Sequence, residues 1–417
     1  MWSETLTKTV LENCLRLTVL EAPRSRTVSL GLFVDHGAKD EEQRSSGISH
    51  FIEHLVFNPA HMEPRARRRL GELMDRGASY EAYTGKEFTR CSVTCRRADL
   101  DPAIACLGSM LSGARILPEA VEHERAIILQ ERETYISSGR MKEELIEQAL
   151  WGDRSLGLFV IGRKENIARF NGSELEPRLE RFYTPQNTQL VVLGDVRQED
   201  VVRSVEEHFG HWMSEPSSPP SILIEEEPNI IALPSGGARS DLTLAFLGPA
   251  FNHPDRYAMN LLGDILGGGI KSRLFAEVRE RRELCYAIYA YSRSYRLGGY
   301  LAINANAAAD KVDEVFRSIM GVIDGLKEHQ VPDDELERVR EARITSLMET
   351  TGDTRRYLQQ LGKYAMNGKD FFVDWEAHEL RRVTPADVQR VARTMLTTER
   401  LAITGIGVDG EALMRLL

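Results

Sequence analysis

The hydrophobic patterns predict an α+β protein built of two duplicated halves, each with helices packed on an antiparallel-rich β-sheet. Three observations carry this. The order strand, helix, helix, paired strands, helix, long helix occurs twice along the chain. A Pro- and acid-rich tract, Ser214 to Pro228, separates the two runs and reads as a connector. Each run is followed by a short apolar strand, Leu190-Val-Val-Leu-Gly-Asp195 in the first and Leu401-Ala-Ile-Thr-Gly-Ile-Gly407 in the second. The expected organisation is residues 1–213, a linker over 214–228, and residues 229–417.

The elements follow in order. Residues 6–22 read as two short strands around Glu12-Asn13, and Thr27 to Asp35 alternates as a strand. Ser45-Ser46-Gly47 opens a helix, and Arg65 to Arg76 forms another that Gly77 stops. Ala78 to Cys95 is a hairpin turning at Gly85-Lys86. Asp99 begins a helix ending near Gly113. Pro118 sits in the first turn of a long helix, with acids behind it that suit the positive end of the helix dipole, and the pattern continues toward Trp151. Arg181 to Asp195 is a loop entering a buried strand. The second run comprises a strand from Asp241, helices Arg256 to Leu266 and Arg273 to Arg282, strands Cys285 to Ser292 and Gly298 to Asn306, a helix from Ala309 and a long helix from Asp333.

Composition excludes several classes. The chain has 417 residues, 42% of them apolar, so two real cores are within reach. A net charge of −10 argues against a nucleic-acid footprint. No stretch approaches the roughly 18 apolar residues of a membrane span, and the N-terminal residues carry neither a basic nor an apolar leader pattern. A cytoplasmic location is the expectation. Five cysteines, Cys14, Cys91, Cys95, Cys106 and Cys285, make an odd number without paired metal-ligand spacing, and read as free thiols.

The chemistry concentrates in His50-Phe-Ile-Glu53-His54. On a helix His50 and His54 stand at i and i+4, so both imidazoles leave one face and can share a metal ion. Glu53 lies beside the second histidine, which is the zinc signature H-E-x-x-H written in reverse. A hydrolytic zinc site wants about three protein ligands and a base near its water. Glu53 can be the base, and the third ligand must come from elsewhere. Glu124 and Glu131, two turns apart on the long helix, form the best acidic stripe for it. In the second half, Asn260, Gly263 and Asp264 fall where His50, Glu53 and His54 stand, so only the first half can hold the metal.

These residues resemble the pitrilysin and mitochondrial-processing-peptidase family of zinc metallopeptidases, in its short, two-domain bacterial form. The motifs are His50-x-x-Glu-His-Leu-x-Phe57, Glu124-Arg-x-x-Ile-x-x-Glu131, and Phe182-Tyr-x-Pro-x-Asn-x-x-Leu-Val-Val-x-Gly194. The resemblance covers nearly the whole chain. It implies that His50, His54 and Glu131 ligate one Zn2+ per chain, that Glu53 activates the metal-held water, and that Glu124 supports the site from behind. It further implies a zinc metalloendopeptidase acting on short or unfolded peptides. The Gly-rich run Gly267 to Tyr286 is similar to the family's substrate clamp, which maps to Arg279 and Tyr286; a Gly turn before a basic surface helix is the plainer reading of that run alone. A phosphate-binding loop is excluded there, because Ile270 interrupts the required Gly-Lys-Ser order.

Substrate docking by strand addition is implied for Glu81, Ala82, Tyr83 and Thr84. The family commonly has Asn at the place of Glu81 and Gly at that of Glu283. Glu81 admits two readings, a selector of basic peptide residues or a charge that guards an exposed strand edge. Short family members pair as dimers, so a homodimer is expected, and a heterodimer with a paralogue is also open. The competing function is a non-catalytic scaffold or partner subunit of the same fold.

Overall fold

The computed structural model describes residues 4–138, 141–214, 225–234 and 239–416. In chain order the first half contains β1 Thr5–Val10, β2 Arg16–Glu21, β3 Val28–Val34, α1 Ile48–Phe57, α2 Pro64–Asp75, β4 Ser79–Thr84, β5 Thr89–Cys95, α3 Leu100–Ser112, α4 Pro118–Ser137, α5 Lys142–Trp151, α6 Lys164–Arg169, α7 Gly172–Phe182, β6 Thr188–Gly194 and α8 Gln198–Phe209. The second contains β7 Ile230–Leu233, β8 Arg239–Gly248, α9 Arg256–Gly267, β9 Cys285–Ser294, β10 Gly299–Ala308, α10 Val312–Glu328, α11 Asp333–Thr351, α12 Thr354–Met366, α13 Val373–Arg382, α14 Pro385–Met395, β11 Leu401–Ile406 and α15 Gly410–Met414. Most of the 214–228 tract lies outside the described residues.

The duplication is legible in the sheets. One runs β1-β2-β6-β3-β5-β4 and the other β7-β11-β8-β10-β9. Leaving out β1, the strands correspond one to one. In each sheet a single parallel pair, β2 with β6 and β7 with β11, precedes antiparallel neighbours. The helix after β3 is α1 and the helix after β8 is α9, which places Asn260 and Asp264 on the counterpart of the histidine helix. This is the predicted α+β architecture of two similar halves.

The chain divides into two compact units that are not contiguous in sequence. The first gathers described residues up to 138, then 158–214 and 349–371; the second takes 141–157, those from 225 to 348, and those from 372 onward. So α12 belongs to the first unit, where it packs on β3 and β6, and α5 belongs to the second, where it packs on β8 and β11. The expected continuous helix from Pro118 toward Trp151 is therefore two helices. The first ends at Ser137, where serines replace good helix formers.

β3 shows why its residues alternate. Leu30, Leu32 and Val34 join the core formed with Phe51, Ile52, Leu55, Val93 and Val192, while Gly31 and Phe33 face the other way, toward α12. A Cβ on Gly362 of α12 would fall 2.0 Å from the Phe33 ring, so glycine is what lets this helix settle on the strand. Hydroxyls of Thr27 and Ser29 each lie 2.9 Å from Thr354 Oγ1 at the start of α12. The second unit buries Leu244, Phe246, Leu262, Ile303 and Val391 on one side of its sheet and Trp151, Leu150, Tyr300 and Ala402 on the other. The central strands β3 and β6 of the first sheet are covered on both faces, and every residue of each is buried. All five cysteines are free; Cys91, Cys95 and Cys106 are buried.

Candidate metal centre

α1 begins at Gly47, whose φ of 96° lies in the left-handed region that glycine tolerates at little cost. The position is also tight: a Cβ there would come 2.8 Å from Gly162 Cα. The helix's first amides are taken up by the buried Glu41 carboxylate, which accepts from Gly47 N at 2.7 Å and Ser49 N at 2.8 Å. Burial pushes the Glu41 carboxyl up to about 7, against the pull of the Ser49 and Gly47 hydrogen bonds. Ile48, Phe51, Ile52 and Leu55 turn into the core. That leaves His50, Glu53 and His54 on the functional side.

The structure brings His50, His54 and Glu131 together. Glu131 Oε2 lies 3.8 Å from His50 Nε2 and 3.4 Å from His54 Nε2, and one ligand atom from each residue falls within 4.8 Å of the other two. The imidazole centroids are 4.7 Å apart. His54 Nδ1 contacts Glu124 Oε2 at 2.7 Å. A carboxylate can only accept, so Nδ1 carries the proton and the Nε2 lone pair of a neutral His54 points toward Glu131. Two lone-pair atoms facing each other at this range call for a shared cation. Burial opposes charge on His54, yet Glu124 and Glu131 outweigh it and hold its pKa well above the usual histidine range. Burial first, and then its charged neighbour His54, pulls His50 down. Among the described residues His50 Nδ1 is buried without a hydrogen-bond partner. Two imidazoles and one carboxylate form a donor set that fits zinc and leaves a coordination position open.

Glu53 sits between this cluster and the sheet. Its Oε2 accepts from Thr84 Oγ1 at 3.1 Å, and burial raises its pKa. Thr84 ends β4, the edge strand, so Glu81, Ala82, Tyr83 and Thr84 occupy a strand with one unpaired side that runs up to the carboxylate of Glu53. Glu81 is held by Arg90 at 2.9 Å, and the Arg90 guanidinium lies 5.6 Å from the Tyr83 ring centre.

Behind the histidines, Glu124 is fully buried and heavily bonded. Besides His54, its Oε1 accepts from Asn58 Nδ2 at 2.9 Å and from His61 Nε2 at 2.6 Å. Sequence reasoning missed Asn58, His61 and Glu41. All three lie in loops, where no periodicity ties them to the helix motif.

In the second unit Arg279 and Tyr286 are neighbours. Arg279 belongs to a π-helical turn, Phe275–Arg281, which replaces the regular helix expected there. Such turns recur at functional sites. Its guanidinium lies 4.6 Å from the Phe275 ring centre and 5.8 Å from that of Tyr286, a tyrosine 66% exposed. Glu283 has φ 53°, in the left-handed region that glycine adopts at less cost than other residues. On α9, Asp264 is paired with Arg343 at 2.8 Å and Asn260 accepts from Ser292. Among the described residues both groups able to hold a metal lie in the first unit.

An inverted H-x-x-E-H helix met by a glutamate from a second helix, in a chain of two like α+β units, defines the inverzincin-type class of folds. Comparison with known proteins places the chain within that class. Residues 16–163 match the insulinase description of peptidase family M16, and residues 170–343 match the M16 inactive domain. The chain belongs to peptidase family M16, the family its motifs resemble. It is 27% identical over 402 residues to the uncharacterized zinc protease YmxG of Bacillus subtilis, covering 96% of this chain and 97% of that one. It is 28% identical over 403 residues to an uncharacterized zinc protease of Streptomyces coelicolor, covering 94% and 87%. A protease from Helicobacter pylori has the same fold, with a TM-score of 0.89 at 16% identity over 97% of this chain and 99% of that one. So does a chain of complex III2 from Candida albicans, with a TM-score of 0.85 at 15% identity over 99% of each. No helix among the described residues is long and apolar enough to cross a membrane.

Proposed function

We propose that this protein is a zinc-dependent endopeptidase that hydrolyses peptide bonds in short or unfolded peptides. The convergence of His50, His54 and Glu131 beside the buried Glu53 carries the reading. These three residues would hold one zinc ion per chain, which when bound supplies Lewis acidity to the scissile carbonyl and to water. Glu53 takes the proton of the attacking water and returns it to the leaving amine. Thr84 aims that carboxylate, and Glu124 fixes the His54 tautomer so that Nε2 faces the ligand cluster. An extended peptide pairs with the open edge of β4, which recognises backbone ahead of side chains. The Tyr286 hydroxyl and Arg279 guanidinium are donors suited to a substrate carbonyl. We further propose a cytoplasmic homodimer, which sedimentation at working concentration tests.

The scaffold reading draws support from the fold's presence in complex III2 and from the match of the second half to a domain described as inactive. The two readings separate on one experiment. Wild type should bind zinc and cleave a quenched peptide library, and Glu53→Gln should keep the metal and lose cleavage by about 10²- to 10⁴-fold. Equal cleavage by the two proteins defeats the mechanism. A folded wild type without cleavage favours the scaffold.

A further inference from the structure

A second cluster of metal-binding type stands behind the first. His61, His123 and Glu124 each offer one ligand atom, all within 4.8 Å of one another. The imidazoles of His61 and His123 have centroids 5.7 Å apart at 72°. The loop bearing His61 is pinned by its own Asn58, which receives His61 N on its carbonyl at 3.0 Å, and by Arg67 Nε on Pro59 O at 2.7 Å. His123 is exposed, so an ion has an entry path, while Glu124 is wholly buried.

We propose that His61, His123 and Glu124 form a second divalent-metal site, weaker than the first and coupled to it through Glu124. Two imidazoles and a carboxylate select zinc, cobalt, nickel or copper and discriminate against magnesium and calcium, which prefer all-oxygen shells. The ion replaces the proton shared by His61 Nε2 and Glu124 Oε1. Ligands about 2.0–2.2 Å from zinc in tetrahedral array stand more than 3 Å apart, so the 2.6 Å contact must open. That work makes the site the weaker one and draws on the carboxylate that also holds His54. Filling it therefore reduces the support given to the first site, and excess zinc inhibits the peptidase. The binding claim stands without the proposed peptidase activity; only the inhibition rests on it.

The test is equilibrium dialysis of chelator-stripped protein against rising free zinc, with metal analysis of wild type, His123→Ala, His61→Gln and His50→Ala. The expected result is two equivalents in wild type, the second binding at higher zinc. His123→Ala and His61→Gln should keep only the tighter one, with unchanged thermal melts, and His50→Ala should keep only the weaker. Wild type saturating at one equivalent that His123→Ala retains overturns the proposal, as do two equivalents in both His123→Ala and His61→Gln. If His50→Ala binds as wild type while His123→Ala loses its metal, the second site stands and the peptidase reading falls. Zinc inhibition of cleavage should need at least ten-fold more metal in His123→Ala; equal inhibition removes the coupling.

Discussion

Toward the first metal cluster Glu124 acts through its hydrogen bonds. It holds His54 with one oxygen and Asn58 and His61 with the other. Glutamine in its place keeps the shape, but its NH2 must replace one of the two oxygens and so sets a donor either against His54 Nδ1–H or against Asn58 and His61. Glu124→Gln should therefore lower zinc affinity about 10- to 100-fold while the circular dichroism stays that of wild type; an unchanged dissociation constant by competition with a chelator contradicts the tautomer argument. The pairing of the two histidines is readable from spacing, because i to i+4 on a helix is a geometric statement, whereas spacing narrows the third ligand only to Glu124 or Glu131 and the family resemblance chooses between them. Asn58 and His61 are not readable in either way. Their approach to Glu124 depends on a loop path, and no local pattern records which buried carboxylate a loop will meet.

Among the elements, α1 owes its start to a carboxylate in the loop just before it, six residues ahead of Gly47. Glu41 has a pKa near 7 in the fold against 4.5 ordinarily, so the folded state holds its proton more tightly than the unfolded chain does. Its contribution is complete below about pH 4.5 and is lost as pH rises through about 7, a change on the order of 3 kcal/mol. The melting temperature of Glu41→Gln relative to wild type should accordingly rise between about pH 5 and about pH 8. A difference that does not change with pH excludes this role. α12 meets the opposite kind of constraint, set by contact. A Cβ at Gly362 would strike the Phe33 ring. Gly362→Ala should cost about 1–3 kcal/mol in urea unfolding, and Phe33→Leu in the same chain should recover part of it by making room.

At the scale of the whole molecule, the repeated order of elements was legible and the exchange of helices was not. The sequence pattern runs α5 together with α4 and does not separate α12 from the long helix that begins at Asp333. It carries no information about which sheet either helix will cover. The consequence is testable by truncation: a fragment ending at Ser214 has every strand of the first sheet but lacks α12, leaving Phe33 and its neighbours bare. It should bind the dye ANS and aggregate, and supplying residues 349–371 in trans should reduce both; a monomeric fragment with native-like melting contradicts this. The same placement of α12 sets a timetable for synthesis. All six strands of the first sheet precede Asp195, whereas the helix that closes its second face leaves the ribosome only after Met366. Translation, which usually lets N-terminal domains finish first, here leaves the first unit incomplete until α12 has been made. Until then the face of that sheet that carries Phe33 has no helix of its own to cover it.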